Sequence, residues 1–489
     1  MSRVTCLAVL CALHASAFAS PGGDPTQGRA VFTGAATANP TSIEINPAAL
    51  GLGSRNEMYF AATGTLDHLS IDLSRFDINT GTFSPGEPVS GNLLSPGGMV
   101  AGVWHSGVNG RVTLGVAVST SPAEGWLEDK NALRYFTLGG SYRTLAPSIA
   151  SSFKLSGRVH LGIGLSVHTS FMRLKFARDA ALAAGRDPVL GIGSDCGGSP
   201  CGIGNPDATQ RYTVDVRSDY VALDNVVGTL GVVVRLAKET WLGISYHTPP
   251  GLSVQTELSG TMDVVKAPRD GGGTVTGGAT VYLSQPASID AELTSRLPAN
   301  LDLHVGLRWE DLFRLQAYDA RGYGSKFPSA GIPEQQLRVR GFYDQSWPAR
   351  FRTMGAWAGI EQTERDFPLN VGARIGFETA SLPDDRTSPM TIAPMSATVD
   401  TGLQYRITRD RDVIPQVYLL VTYGLQYFPR VHVTDSAFDP RDAIACYDSN
   451  HDYSTNACEA VRNGYAIDTG VGDYHRIQQA ARIAVRLTW

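Results

Sequence analysis

The chain alternates residue by residue up to its last position. In segment 476–489, Ile477, Ala481, Ile483, Val485, Leu487 and Trp489 fall on one side, and Arg476, Gln478, Ala480, Arg482, Ala484, Arg486 and Thr488 on the other. Side chains of an extended strand point to opposite faces with period two, so this is a two-faced strand. An apolar face that ends on tryptophan suits a membrane β-barrel, with lipid outside, a polar lumen inside and aromatics at the interface. The pattern recurs. Val112, Leu114, Val116 and Val118 oppose Arg111, Thr113, Gly115 and Ala117, and Val159 to Val167 oppose Arg158 to His168. Leu301, Leu303, Val305 and Leu307 oppose Asp302, His304, Gly306 and Arg308; Leu369 to Phe377 and Leu403 to Ile407 behave likewise.

The N-terminus places the protein outside the cytoplasm. Arg3 precedes a short apolar core from Val4 to Leu13, and Ala17-Phe18-Ala19 forms a cleavage site, so residues 1–19 read as a signal peptide. Leu10 is too large for the position before a lipidated cysteine, which leaves Cys11 inside an ordinary leader. Beyond residue 20 no stretch approaches eighteen consecutive apolar residues, the length a membrane helix needs. A net charge of −5 without a basic patch argues against nucleic acid as a partner. Heavy use of glycine and tyrosine (53 and 18 residues) fits strands that curve and meet a membrane interface.

Turn signals divide the mature chain into fourteen strands, near 57–73, 98–107, 110–120, 133–145, 157–177, 211–236, 240–264, 279–294, 299–319, 350–362, 368–380, 395–408, 413–433 and 475–489. Long connections are expected near 74–97, 121–132, 178–210, 265–278, 320–349, 381–394 and 434–474. Segment 146–156 is expected to be a connection on the short-turn side with a helical turn. An even strand count puts both termini on the short-turn side, which in outer-membrane barrels is the periplasm. The expected fold is therefore all-β: a transmembrane antiparallel barrel with the last strand closing on the first.

Chemistry-bearing residues are few. Cys196–Cys201 and Cys446–Cys458 are candidate loop disulfides in an oxidising compartment. Asp448, Asn450, Asp452 and Glu459 fall at calcium-loop spacing, but Tyr453 stands where the sharp turn needs glycine, so a solvated loop is the better reading. His160, His168 and His304 point inward by parity, yet no G-x-S-x-G occurs, and no enzyme and no cofactor are expected. Arg111, Arg158, Arg235, Arg308, Arg374, Arg476, Arg482 and Arg486 also face inward, and are expected to pair with Asp302, Glu378 and polar groups of the N-terminal block.

That block, residues 20–56, is not a strand. It is small and turn-rich, broken by Pro40 and Pro47, and carries apolar Val31, Phe32, Ile43, Ile45 and Leu50. On physics alone it is a leader or an internal plug. Asn46-Pro47-Ala48-Ala49-Leu50 just before the first strand resembles the hatch of the FadL family of outer-membrane transporters for long-chain fatty acids and hydrocarbons. Leu242 to Tyr246, Leu297 to Asn300 with Trp309-Glu310-Asp311, Asn370 to Phe377, and Gly402 to Tyr405 resemble later parts of that family in order. The resemblance implies a fourteen-stranded barrel (57–489) plugged by a hatch (20–56) that includes Asn46, Pro47, Ala48 and Leu50. It implies passive transport of long-chain fatty acids or aromatic hydrocarbons, with an apolar binding site, hatch rearrangement and lateral exit into the membrane. No motif marks the substrate-binding or wall-opening residues. The partners so implied are a hydrophobic small molecule, outer-membrane lipids and the barrel-assembly machinery, for a monomer. The alternatives are an open general porin and a structural or adhesive barrel acting through its extracellular loops.

Overall fold

The protein is described by a computed structural model over residues 30–77, 82–106, 111–126, 138–179, 209–219, 223–252, 256–283, 287–311, 319–332, 337–340, 353–362, 368–380, 395–408, 415–434 and 466–489. The signal peptide, both cysteine pairs and the calcium-loop candidates Asp448, Asn450, Asp452 and Glu459 lie outside those residues.

Fourteen antiparallel strands form one closed barrel. They are β1 (Glu57–Asp77), β2 (Thr82–His105), β3 (Val112–Trp126) and β4 (Gly139–Lys154). Six interrupted strands follow: β5 (Val159–Val167, Thr169–Asp179), β6 (Thr209–Arg217, Val226–Ala237), β7 (Thr240–His247, Thr256–Val265), β8 (Thr274–Leu283, Ala287–Leu297), β9 (Leu301–Asp311, Asp319–Tyr323) and β10 (Arg338–Arg340, Thr353–Gln362). The last four are β11 (Leu369–Glu378), β12 (Ser396–Arg406), β13 (Gln416–Val433) and β14 (Ala466–Thr488). Each strand pairs with the next, and β14 returns to β1 with Thr488 opposite Glu57 and Ile483 opposite Ala62. Backbone bonds of 3.1 Å in both directions between Asn56 and Trp489 finish the closure.

Parity follows the sequence. Leu161, Ile163, Leu165, Val305, Ile375, Leu403 and Ile483 are exposed on the outer wall, while His160, Ser166, His304, Arg374, Gln404 and Arg482 are buried on the inner one. Exposed Phe60, Trp104, Phe377, Tyr405, Tyr423 and Trp489 supply outward aromatics.

Strand lengths are unequal, and the inequality creates a second storey. β11 has 10 residues; at about 3.3 Å per residue and a tilt near 40° it just crosses an apolar belt of about 25 Å. β2 has 24 residues and by the same arithmetic reaches about 60 Å along the axis, far beyond that belt. The excess lies on the long-loop side and splits into two flaps. In one, upper β13, β14, β1 and β2 pack Ile71, Leu73, Val89, Val431, Val433 and Tyr474. In the other, the upper parts of β5 to β9 pack Met172, Leu174, Phe176, Tyr212, Leu258, Met262 and Val281 beneath Phe327 of a one-turn helix, α1 (Lys326–Ser329).

This storey corrects several expectations. The described residues of segment 74–97 are paired strand rather than long loop, because β1 runs to Asp77 and β2 starts at Thr82. Pro85, Pro88 and Pro96 hide the alternation there; above Gly98 the ladder of β2 runs to β1 alone, and prolines are tolerated on such an edge. Segment 146–156 is wall up to Lys154, not a helical connection. Its inward Ala146, Ser148, Ala150 and Ser152 are all small and two are hydroxylated, a pattern that mimics a loop. β14 begins at Ala466, and segments 265–278 and 320–349 contain strand residues.

Candidate functional site

The inner wall meets the N-terminal segment 30–52 from most directions. The segment opens with turns and then makes one helical turn at Ser42–Ile45. Pro47 restricts the residue before it to extended backbone, so Asn46 ends that turn at φ −154° and ψ 98°. Pro47 then opens a 3-10 helix, Pro47–Leu52, where its missing N–H costs nothing. Asn46 is the N-cap: its side-chain oxygen accepts the Ala48 amide at 3.1 Å. Its amide group donates to the Ala35 carbonyl at 2.5 Å and towards the Val232 carbonyl of β6 at 3.4 Å. Asn46 and Ala48 are fully buried. The asparagine thus ties two turns of the segment to the wall, and the proline sets the angle between them.

The wall makes room with glycine. A methyl group on Gly162 of β5 would overlap the Ala48 amide nitrogen, and one on Gly243 of β7 would overlap the Ala35 carbonyl. Serines take the hydrogen bonds: Ser152 donates to the Ala48 carbonyl at 3.0 Å, and Ser148 to Glu44 at 3.0 Å. Leu50 packs with Val31, Phe32 and Ile43 against Tyr59, Met99, Ala101 and Ala117.

Charge holds the other end. Glu361 of β10 accepts the Phe32 amide at 2.8 Å, and Glu292 of β8 accepts the Ala36 amide at 2.8 Å. Arg374 of β11 donates to Glu361 at 2.6 and 3.0 Å and lies 3.7 Å from Glu292. His304 of β9 sits between the carboxylates, 2.8 Å from Glu292 and 3.4 Å from Glu361. Arg482 of β14 donates to the Val31 carbonyl at 2.7 Å. All five side chains are buried. Three backbone groups of residues 31–36 therefore end on charged side chains from three strands, and hydrogen bonds to charged groups are the stronger kind. Phe32 itself stands at φ 64°, a left-handed conformation that costs a bulky residue about 1–3 kcal/mol and persists only where its surroundings hold it.

The expected pairing with the N-terminal block is met by Arg482, while the two expected acids meet other groups. Arg374 meets Glu361 and Glu292, whereas Asp302 binds Arg296 and Glu378 accepts from Gln426. Arg476 forks onto Asp67, Arg308 lies 3.3 Å from Asp290, Arg486 stacks 4.9 Å from the Tyr418 ring, and Arg235 caps Lys238 at the short-turn rim. Arg111 and Arg158 are exposed at that rim. Glu292 and Glu361 escaped the reading of the sequence, although both occupy inward positions, Glu292 in mid-strand and Glu361 next to the end of β10, where a buried carboxylate needs a partner. His160 is buried near Trp241 and His304 joins the cluster, while the Nε2 of His247 lies 3.5 Å from both Ser245 and Asp290, so serine and acid share one ring nitrogen there instead of taking opposite ones.

Above Gly98 and Thr120 the wall has a seam. The ladder between β2 and β3 covers Gly98–His105 against Thr113–Thr120. Higher up, β2 pairs with β1 and β3 pairs with β4, with no ladder between them among the described residues. Exposed Leu94 and Leu145 flank this height on the outer surface.

No protein-family model and no curated protein matches the sequence. Solved structures do match in fold. A Pseudomonas aeruginosa FadL homologue aligns over 97% of this chain and 99% of its own, at 14% identity and a TM-score of 0.68. The Pseudomonas putida toluene transporter TodX aligns over 98% and 99%, at 12% identity and a TM-score of 0.56. The Ralstonia pickettii toluene transporter TbuX aligns over 96% and 98%, at 13% identity and a TM-score of 0.56. The architecture is that of these solved barrels, one closed antiparallel ring of fourteen strands. Within that class, the chain has the FadL-type fold over nearly its whole length.

Proposed function

We propose that the protein is an outer-membrane transporter that passively admits hydrophobic molecules, with residues 20–56 as its hatch and 57–489 as its barrel. The observation that carries this reading is the lumen itself, crossed by a buried segment tied to β4, β6, β8, β10 and β14. An open porin has no use for a bolt of this kind. A hydrocarbon chain has little use for an aqueous pore, since each buried CH₂ is worth roughly 0.8 kcal/mol.

In this reading the cargo meets the apolar inner face of the upper storey, where Met172, Met262, Leu174 and Phe327 offer adaptable contacts. Release requires the segment at Phe32–Ala36 to leave Glu361 and Glu292. The strained Phe32 backbone supports a segment with a second arrangement in reach. Exit is sideways through the foot of the seam above Gly98 and Thr120, where exposed Leu94 and Leu145 face lipid. Long-chain fatty acids and aromatic hydrocarbons both fit this route.

The test is paired. Planar-bilayer recordings of the full chain should show little steady conductance, and a form lacking residues 20–56 should conduct. Mass spectrometry of material copurified in mild detergent should find apolar molecules in the full chain. Large, stable conductance through the intact protein sinks the reading.

A further inference from the structure

Just above the apolar belt, the outer surface of the second flap carries a cross-strand line of cations. Pairing sets Arg143 of β4 beside Phe171 of β5, and Phe171 beside Arg217 of β6. Arg217 then faces Ser259 of β7, Ser259 faces Thr280 of β8, and Thr280 faces Arg321 of β9. Arg143, Arg217 and Arg321 are exposed, whereas the alternate positions Met172, Val216, Leu258, Ala279 and Ala320 are buried inside. With strands about 4.8 Å apart, Arg143 and Arg217 stand about 10 Å apart on the wall, and Arg217 and Arg321 about 14 Å apart.

The surroundings favour an anion. Arg173, Lys175 and Arg211 lie on the same face, further from the belt; its acids include Asp215, Glu257 and Asp263, and exposed Asp219 follows Arg217 by two residues. Asp215 is bound by Arg173, and Asp263 accepts Thr276 at 2.6 Å. Arg321 lies 5.2 Å from the Tyr282 ring, which holds the guanidinium against the wall. Directly below the line, exposed Leu145, Ile149, Leu165 and Leu230 form lipid-facing wall. At matching height the other flap is mixed: Arg430 lies 3.6 Å from Asp72, and His432 lies 3.0 Å from Asp473. In a chain of net charge −5 this cation excess is local.

We infer that the Arg143–Arg217–Arg321 line docks phosphorylated headgroups of the lipid leaflet on the long-loop side. The inference rests on the proposed membrane setting, but not on the cargo. A guanidinium fork matches phosphate oxygens in a bidentate fashion, which a single ammonium does not. The posts stand too far apart for one phosphate to bridge. The surface therefore fits a lipid whose headgroup carries more than one phosphate, its chains lying along Leu145, Leu165 and Leu230. One flap is then anchored to the leaflet, and the other is not.

The experiment uses the full chain in nanodiscs of phosphatidylcholine, with or without a bis-phosphorylated glycolipid, and counts bound glycolipid by native mass spectrometry. The variants are the triple Arg143→Gln/Arg217→Gln/Arg321→Gln and, as control, Arg430→Gln. Wild type and control should enrich the glycolipid, and the triple should hold about tenfold less, as expected for losing several charge-assisted contacts at a partly screened surface. Excess inorganic phosphate should not displace it. Equal retention by the triple, equal loss in the control, or displacement by inorganic phosphate overturns the inference. Heat-modified migration on gels confirms that the triple is folded. Envelope fractionation reads the membrane setting separately, so failure of that reading is distinguishable from failure of the lipid site.

Discussion

The lower and upper storeys of this barrel are built inside out relative to each other. Around Ile163 and Leu165 of β5 the wall is apolar outside, and His160 and Ser166 are buried within. A few residues on, in the same strand, Arg173 is exposed outside while Met172, Leu174 and Phe176 are buried within. The strand does not change its pleat; its solvent changes. Lipid bathes the lower wall and demands an apolar exterior, which frees the lumen to be polar. Water bathes the upper wall, so the ordinary rule of a hydrophobic core returns. The two storeys are therefore held by different forces, ion pairs and hydrogen bonds below and apolar packing above.

The sharpest way to break this contrast is to remove one member of each kind of core. Arg374→Ala should leave Glu292 and Glu361 buried without their guanidinium, at a cost of about 3–5 kcal/mol. Heat-modified migration should shift to lower temperature, and conductance should rise as Phe32 and Ala36 lose their anchors. Phe327→Ala should cost about 3–5 kcal/mol within the upper flap alone, by cavity formation. Limited proteolysis should open the flap while the lower barrel keeps its gel shift. Equal sensitivity of both storeys in either variant would collapse the distinction.

Smaller changes test the outer surface. Ile163→Arg places a cation on the lipid face and should cost about 2–4 kcal/mol near mid-membrane, read from denaturant titration in bilayers. Arg173→Gln lies on the upper outer face, where its exposed pair with Asp215 should be worth less than about 1 kcal/mol. A large loss in the second and none in the first would place the membrane at the wrong height. Gly162→Val tests the lumen: its side chain must displace the segment near Ala48, and the expected signal is steady conductance with little change in barrel melting.

The lower storey was largely legible in the sequence, because lipid on one side and a polar lumen on the other impose clean alternation. Strand count, closure of β14 on β1 and the parity of Arg482 and His304 all follow from that. The upper storey was not legible as wall. Its polarity is reversed, and prolines such as Pro88 and Pro96 look like loop when the strand has a free edge. The site was legible only in part. Asn46-Pro47 announces a cap followed by a helical start, but nothing local says that Glu361, 329 residues away from Phe32, takes its amide. That pairing is a property of a closed ring, and one segment of sequence does not contain the ring.

Closure also imposes an order of events. The first strand and the last are neighbours, and Arg482 reaches Val31 across a separation of 451 residues. The hydrogen bonds on which the buried segment relies come from β4, β6, β8, β10 and β14, so it cannot be seated until nearly the whole wall exists. Yet once β14 zips onto β1 from Asp77 down to Glu57, the wall is complete and entry from the side is over. The portion made first must therefore wait at the lumen while the portion made last shuts the door. During that interval the barrel is an open clamp with its own N-terminus as the first guest.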